Sequence, residues 1–537
     1  MQGRSQDNPP SNGRDSYDKK EKSKNSVSLS NNLSTVSQSI HERENLRSQA
    51  PYSITEGELR KRLESKRYSG RKITQIYSCF VVSMGHLNFG TCLGWASPMM
   101  YHFLQHESQF NEKGFSSFAT WMTSMVPLGA SVGVGVWTVM GYKKGPRKTL
   151  LILSVIYFIL LVCLFFSSYM RSLLQASRFF LGFFGVGYMV CGDMLMNDTT
   201  HRTLLKYSRI APRIALLVGV ILVQLSGIFS EYTNTAWGCM TTTFLTFIML
   251  YIMPESPVHM YQKGETFAEK SLSWYIGKDN ISDTMRRIRR DYEYRRMNIE
   301  DKYMLNSNVV RKGVLIVIGI IVFQVGTGYH LFQFYSTIIW SKVPLIDVEW
   351  DITVLGIVLI FSRLFWALAH LKLNWPVRKP LMISCTIVAT AQLVLATILL
   401  FLNIEVCIST NYLRWCCFVC CFFIVFGYEL GLNHYTAILL YMYIPFQVYQ
   451  TVTTIVNSVF WFLVFFIIKF HGFWHTGLPS WLLFLVISIF LYTGTLYMYL
   501  FVVEVKHKSL VQIQLDIGGN PTGTRAASGM RLGPSDI

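Results

Sequence analysis

Residues 146–170 read PRKTLLILSVIYFILLVCLFFSSYM: a proline and two cations, then no charged side chain from Thr149 to Met170. A hydrocarbon core about 30 Å thick is crossed by about 20 apolar residues of helix, so this run is long enough to span a bilayer. It also lacks the polar face that a surface helix of a soluble domain carries. Outward from it, similar runs lie at 73–97, 116–140, 173–196, 209–230 and 236–253. After a polar gap they resume at 312–340, 352–371, 380–402, 412–440, 445–469 and 480–503. The expected fold is all-α and integral to a membrane, about twelve transmembrane helices in two six-helix bundles. The domain order is a polar N-terminal tail at 1–72, a first bundle at 73–253, a loop with short helices at 254–311, a second bundle at 312–503 and a tail at 504–537.

Of the 537 residues 51% are hydrophobic, yet 49 Lys and Arg against 31 Asp and Glu leave a net charge of +18. Only 15% of residues are charged, where a soluble domain carries about a quarter. Placed on the spans, the charge separates: +21 on the tails and alternate loops, −4 on the opposite loops and +1 inside the spans. Cations collect on the cytoplasmic side of membrane proteins, so both termini and the central loop are expected in the cytoplasm of a multi-pass, plasma-membrane protein. These cations border membrane exits and form no groove-sized stripe, which argues against nucleic acid and for anionic lipid headgroups as neighbours. No cleavable signal peptide is evident, because the first span follows a polar tail.

Residues 1–50 and 515–537 lack the apolar content of a core and are expected to be disordered, while Glu56 to Lys72 is a candidate juxtamembrane helix. In the central loop Met285, Ile288, Tyr292 and Met297 recur at near-helical spacing among paired arginines, which fits short surface helices. Cys416, Cys417, Cys420 and Cys421 form a CC-x-x-CC pattern, but inside a span with no histidine nearby; they are expected to pack, and no metal or other cofactor is expected. The sequons at Asn32, Asn197 and Asn280 fall in cytoplasmic or membrane segments, so none predicts a glycan. There is no phosphate-binding G-x-x-x-x-G-K-[ST] segment and no catalytic constellation, so an enzyme is not expected.

The two halves repeat weakly but in register. Pro146–Arg147–Lys148–Thr149–Leu150 follows the second span and Val377–Arg378–Lys379–Pro380–Leu381 the eighth; Pro254–Glu255–Ser256–Pro257 closes the sixth and Val503–Glu504–Val505–Lys506 the twelfth. Together with Gly90 to Pro98 in the first span, Trp121, Leu128, Gly129, Ala130 and Gly133 in the second, Arg178, Gly182 and Gly187 in the fourth, and Gly219 in the fifth, this order has a precedent. Gln324, Gly328, Phe334 and Tyr335 continue it in the seventh span, Gly427, Gly431 and Pro445 in the tenth, and Trp461 in the eleventh. The chain resembles the sugar porter family of the major facilitator superfamily, in its insect trehalose- or glucose-transporter-like branch, as a divergent member. The resemblance covers roughly residues 75–515, all but the tails.

That resemblance implies a major-facilitator-type fold and a secondary carrier that moves a hexose or disaccharide by alternating access. It implies substrate contacts at Gln324, His330, Tyr335, Asn433, Trp461 and Arg213, and gating or coupling roles for Arg147, Arg178, Asp198, Glu255, Arg378, Glu429 and Glu504. The departures are concentrated in two places. The family's loop acid after spans two and eight is replaced by Lys143 and Asn374; the Glu and Arg positions at the ends of spans four and ten hold Asp198, Leu205, Met442 and Tyr449, and Val258 stands for the Arg after the sixth span. An inner gate held by apolar and aromatic packing more than by ion pairs is therefore expected. In the sugar site Val325, His330, Arg213 and Ala437 replace amides and a tryptophan. Arg213 either reaches the site or snorkels at the rim. Glu429, costly inside a bilayer, either forms a titratable couple with His330 or is paired with His434, Arg414 or another helix. Two rival functions share these features: a non-transporting sugar sensor, and a carrier for a different small solute. Oligomeric state is not read from the sequence.

Overall fold

A computed structural model describes residues 72–99, 112–169, 171–229, 232–277, 307–335, 348–372, 375–403, 410–477 and 479–505, with scattered positions in 281–292, at 305 and in 508–517. The expected N-terminal disorder, the juxtamembrane helix at 56–72 except its last residue, the C-terminal tail beyond 517, Asn374 and Met297 lie outside the described residues.

Regular structure among the described residues is helical. The first half comprises α1 (Lys72–Gly94), α2 (Glu112–Lys144), α3 (Pro146–Phe165), α4 (Arg171–Thr199), the short α5 (Arg202–Ser208), α6 (Ile210–Phe229) and α7 (Tyr232–Ile252). Two short helices follow, α8 (Pro257–Tyr261) and α9 (Glu265–Ile276). The second half contains α10 (Asn308–Gly326), α11 (Tyr329–Phe334), α12 (Val348–Lys372), α13 (Arg378–Asn403), α14 (Thr410–Leu430), α15 (Leu432–Tyr443), α16 (Phe446–Gly477) and α17 (Ser480–Phe501).

Among the described residues eleven segments are long and apolar enough to cross a membrane, and the apolar part of α12, Val354–His370, is shorter. These account for the runs read from the sequence. Their outer faces carry exposed apolar side chains such as Leu315, Tyr251, Phe466 and Leu496, the inverse of a soluble surface. The expected spans at 312–340 and 412–440 are not continuous, however. The run at 312–340 breaks between α10 and α11 at Gly328, whose φ of 73° is left-handed. The run at 412–440 breaks at Gly431, where a Cβ would sit 2.4 Å from the Pro380 carbonyl oxygen. Apolar composition does not reveal such breaks, because neighbouring side chains satisfy the freed backbone groups. Here Gln392 Nε2 donates to the Thr327 carbonyl at 2.9 Å, and Ser384 Oγ both donates to the Gly427 carbonyl at 2.6 Å and accepts from Leu432 N at 3.2 Å.

Within the first half, glycines set the closest crossings. A Cβ at Gly90 would lie 2.0 Å from the Leu216 carbonyl, and one at Gly219 2.3 Å from that of Leu87, so α1 and α6 touch backbone to backbone. Without lipid-excluding force between helices, such close packing is what holds spans together. In the loop, Ser256 caps α8 and accepts from His259 N, with Pro257 at the first helical position; Met285 and Ile288 are buried as their spacing requires. In α14, Cys417, Cys420 and Cys421 are buried and Cys416 is exposed.

Candidate functional site

The helix break at Gly328 places four aromatic and amide groups together in the second half. Thr327 Oγ1 donates back to the Gln324 carbonyl at 2.7 Å and accepts from Tyr329 N at 3.3 Å, which pins the turn. Gln324 Nε2 then donates to the Tyr428 hydroxyl at 3.1 Å. The Tyr329 and Tyr428 rings stack, with centroids 4.0 Å apart. His330 packs against Tyr428 and Phe460 at 6.4 and 5.6 Å; neither of its ring nitrogens makes a well-aligned hydrogen bond among the described residues, and the Gln333 side chain faces the ring. Trp461 meets Phe89 of the first half edge-on at 5.4 Å. A buried imidazole and a side-chain amide beside a stacked aromatic pair make a site able to give and take hydrogen bonds from a hydroxylated solute.

Glu429 is one residue from His330's neighbourhood but is not its partner. Arg363 of α12 grips it with two nitrogens, Nε to Oε2 at 2.5 Å and Nη2 to Oε1 at 2.6 Å. Asn433 Nδ2 donates to Oε2 at 2.7 Å, and the Tyr329 hydroxyl lies 3.4 Å from Oε1. The carboxylate, 2% exposed, thus joins both helix breaks to α12 in a close ion pair with one hydrogen bond, from Nη2, since Nε lies near Oε2 without hydrogen-bond geometry. Of the alternatives the sequence allowed, another helix supplies the counter-charge; His434 stacks instead on His370 at 4.2 Å.

Arg213 lies on Asp193, 3.4 Å from Oδ2, in the first half. Arg178 is fully buried: Nη1 donates to the Cys92 carbonyl at 2.8 Å and the guanidinium sits 5.0 Å from the Trp95 ring centroid. Tyr335 spends its hydroxyl on a latch between the halves. It shares a 2.9 Å hydrogen bond with Thr123 of α2 and donates to the Ile468 carbonyl of α16 at 3.2 Å. Nearby, Lys469 Nζ donates to Thr120 Oγ1 at 3.0 Å and lies 3.8 Å from the Trp121 ring centroid.

The repeated segments at the α8–α9 end form two matching clamps. Glu255 accepts from the backbone of Arg147 and Lys148, both at 2.9 Å; Arg147 in turn donates to the Leu250 and Tyr251 carbonyls at 3.0 and 2.8 Å. Glu504 accepts from Val377 N and Arg378 N at 2.9 and 3.1 Å, and Arg378 donates to the Tyr499 carbonyl. Each clamp puts an anion on one helix N-terminus and a cation on another's C-terminus, the favourable sense for both dipoles. The one-residue offset has a simple cause: Pro146 has no N–H, and Val377 does. Asp198 accepts from Ser256 Oγ at 2.6 Å. Met442 is buried, and Tyr449 packs edge-on against Tyr441 at 5.6 Å.

Arg363, Tyr428, Gln392, Asp193 and His86 were not assigned to sites from the sequence. Arg363 and Asp193 did carry a signal, a charge inside a span; the others carried none that spacing alone reveals.

This helix order aligns with XylE of E. coli in a partially occluded inward open conformation, TM-score 0.69 at 14% identity, over 82% of this chain and all of that one. The molecule is thus a multi-pass membrane protein with the major facilitator fold. Its sequence matches that of the sugar (and other) transporters over residues 78–516, and the chain belongs to that family. Among its relatives, the facilitated trehalose transporter Tret1 of Bombyx mori is 24% identical over 488 residues, 86% of this chain and 90% of that one. The solute carrier family 2, facilitated glucose transporter member 5, of Rattus norvegicus is 23% identical over 425 residues, 75% of this chain and 82% of that one.

Proposed function

We propose that the protein carries a hexose or a disaccharide, glucose or trehalose being the first candidates, across the plasma membrane by alternating access of a site between its halves. The observation that carries this is the buried His330 imidazole, with the Gln333 side chain facing it, beside the Gln324–Tyr428 hydrogen bond and the Tyr329–Tyr428 stack. A sugar offers hydroxyls to the nitrogens and an apolar ring face to the aromatics. In this reading Gln324, His330 and Trp461 contact the solute. Asn433 acts through Glu429, Tyr335 closes the far end, and the Glu255 and Glu504 clamps with Arg147, Arg378 and Asp198 keep each half rigid while they rock.

The cation excess on alternate loops supports an orientation with both termini and the α8–α9 end in the cytoplasm, against anionic headgroups. The contacts between halves support a gate of aromatic and hydroxyl packing: Phe89–Trp461, Thr123–Tyr335 and Thr454–Thr138 cross the interface, whereas Arg213–Asp193 and Arg363–Glu429 each stay within one half.

Uptake of labelled glucose and trehalose by transporter-deficient cells tests the reading. Wild type raises uptake of one of them, and Gln324→Ala or His330→Ala weakens apparent affinity about three- to tenfold, the worth of one neutral hydrogen bond. Surface expression with binding but no uptake would identify a sensor; no binding of either sugar would point to another solute.

A further inference from the structure

In the first half a second polar cluster stands apart from the solute site. His86 of α1 is 0% exposed, and its Nδ1 lies 3.0 Å from the Val82 carbonyl oxygen. A carbonyl only accepts, so Nδ1 carries a hydrogen. Nε2 points toward Asp193 Oδ1 of α4 at 3.5 Å and has no hydrogen-bond partner among the described residues. With a neutral ring and an ionised carboxylate, two lone pairs would face each other across that gap. One further proton, on the ring or on the carboxyl, turns the clash into an attraction.

The other Asp193 oxygen is 3.4 Å from Arg213 Nη2, so a buried imidazole and a guanidinium share one carboxylate. Asp193 is 34% exposed and Arg213 47%, while His86 is enclosed. The carboxylate is therefore the route by which a proton reaches the ring. Besides Arg213, the groups facing the couple are Arg209 of α6, which also donates to Asn197 Oδ1 at 3.2 Å, and Tyr449 of α16 across the interface. His434 of α15 lies within electrostatic range of Arg213.

We propose that His86 and Asp193 form a proton-binding site, with Arg213 as the competing cation. With the proton bound, Asp193 is held by His86 and Arg213 is released toward the Tyr449 and His434 side. Without it, Asp193 turns to Arg213, which is then withdrawn from the second half. Proton occupancy thereby changes the charge that the first half presents at the interface, and makes the rate of the conformational cycle depend on pH.

The test counts protons and does not depend on which solute is carried. Full-length wild type, His86→Gln, Asp193→Asn and the double variant, each in nanodiscs, are titrated potentiometrically between about pH 5 and pH 8. The expected result is that each single variant takes up about one proton fewer than wild type and the double variant loses no more than either, since the proton belongs to the pair. Arg213→Gln, which removes only the competitor, retains that proton. Coincident curves for wild type and Asp193→Asn, a double variant that loses two protons, or loss of the proton in Arg213→Gln would each overturn the proposal.

Discussion

Glu255 and Glu504 sit at the same place in the two halves and do the same work, each accepting two backbone N–H groups at a helix N-terminus while an arginine returns to the carbonyls of the preceding span. Asp193 and Glu429, both acids within spans, diverge. Glu429 is 2% exposed and locked by Arg363 at 2.5 Å, whereas Asp193 is 34% exposed and shared loosely between His86 and Arg213. The repeat has kept what makes each half rigid and has let the interior charges differ. One half holds a fixed ion pair, the other an adjustable one.

The largest effect should follow from breaking the fixed pair. Glu429→Gln strands the Arg363 guanidinium and is expected to destabilise the protein by about 3–5 kcal/mol, read as a lowered melting temperature in detergent. Replacing both Arg363 and Glu429 by methionine should restore most of that loss, because the desolvation of two charges disappears with them. A double variant as unstable as the single would show that the pair does more than balance charge.

Next come the clamps. Glu255→Gln and Glu504→Gln should each lose about 1.5–3 kcal/mol, the range for hydrogen bonds to a charged group, and the two losses should be similar. A loss confined to one of them would break the equivalence of the halves. Smallest is Asp193→Asn, expected to cost about 1 kcal/mol or less, because a partly exposed pair is screened. The same melting measurement places it below the clamps; a loss as large as that of Glu429→Gln would erase the distinction between fixed and adjustable acids.

Much of this fold is readable in the sequence. Long apolar runs admit few structures in a bilayer, and the in-register repeats at Arg147 and Arg378, and at Glu255 and Glu504, named both clamps without showing that their members touch. The helix breaks at Gly328 and Gly431 were hidden, because a broken span is as apolar as a whole one. The partner of Glu429 was hidden for another reason: Arg363 is 66 residues away, and only packing of α12 on α14 brings them together. The pairing of His330 with Glu429 failed by one position on α11. Successive helical residues point about 100° apart, so Tyr329 faces the carboxylate and His330 faces Tyr428 and Phe460.

The central claim is a solute site at Gln324, His330 and Trp461 that is served alternately from the two sides. Equilibrium counterflow of labelled glucose or trehalose in liposomes containing only the purified protein tests it most directly. The account predicts transient accumulation of one of these sugars with wild type and weakened apparent affinity with His330→Ala. No accumulation of either sugar by folded wild-type protein, or an affinity unchanged in His330→Ala, would contradict it.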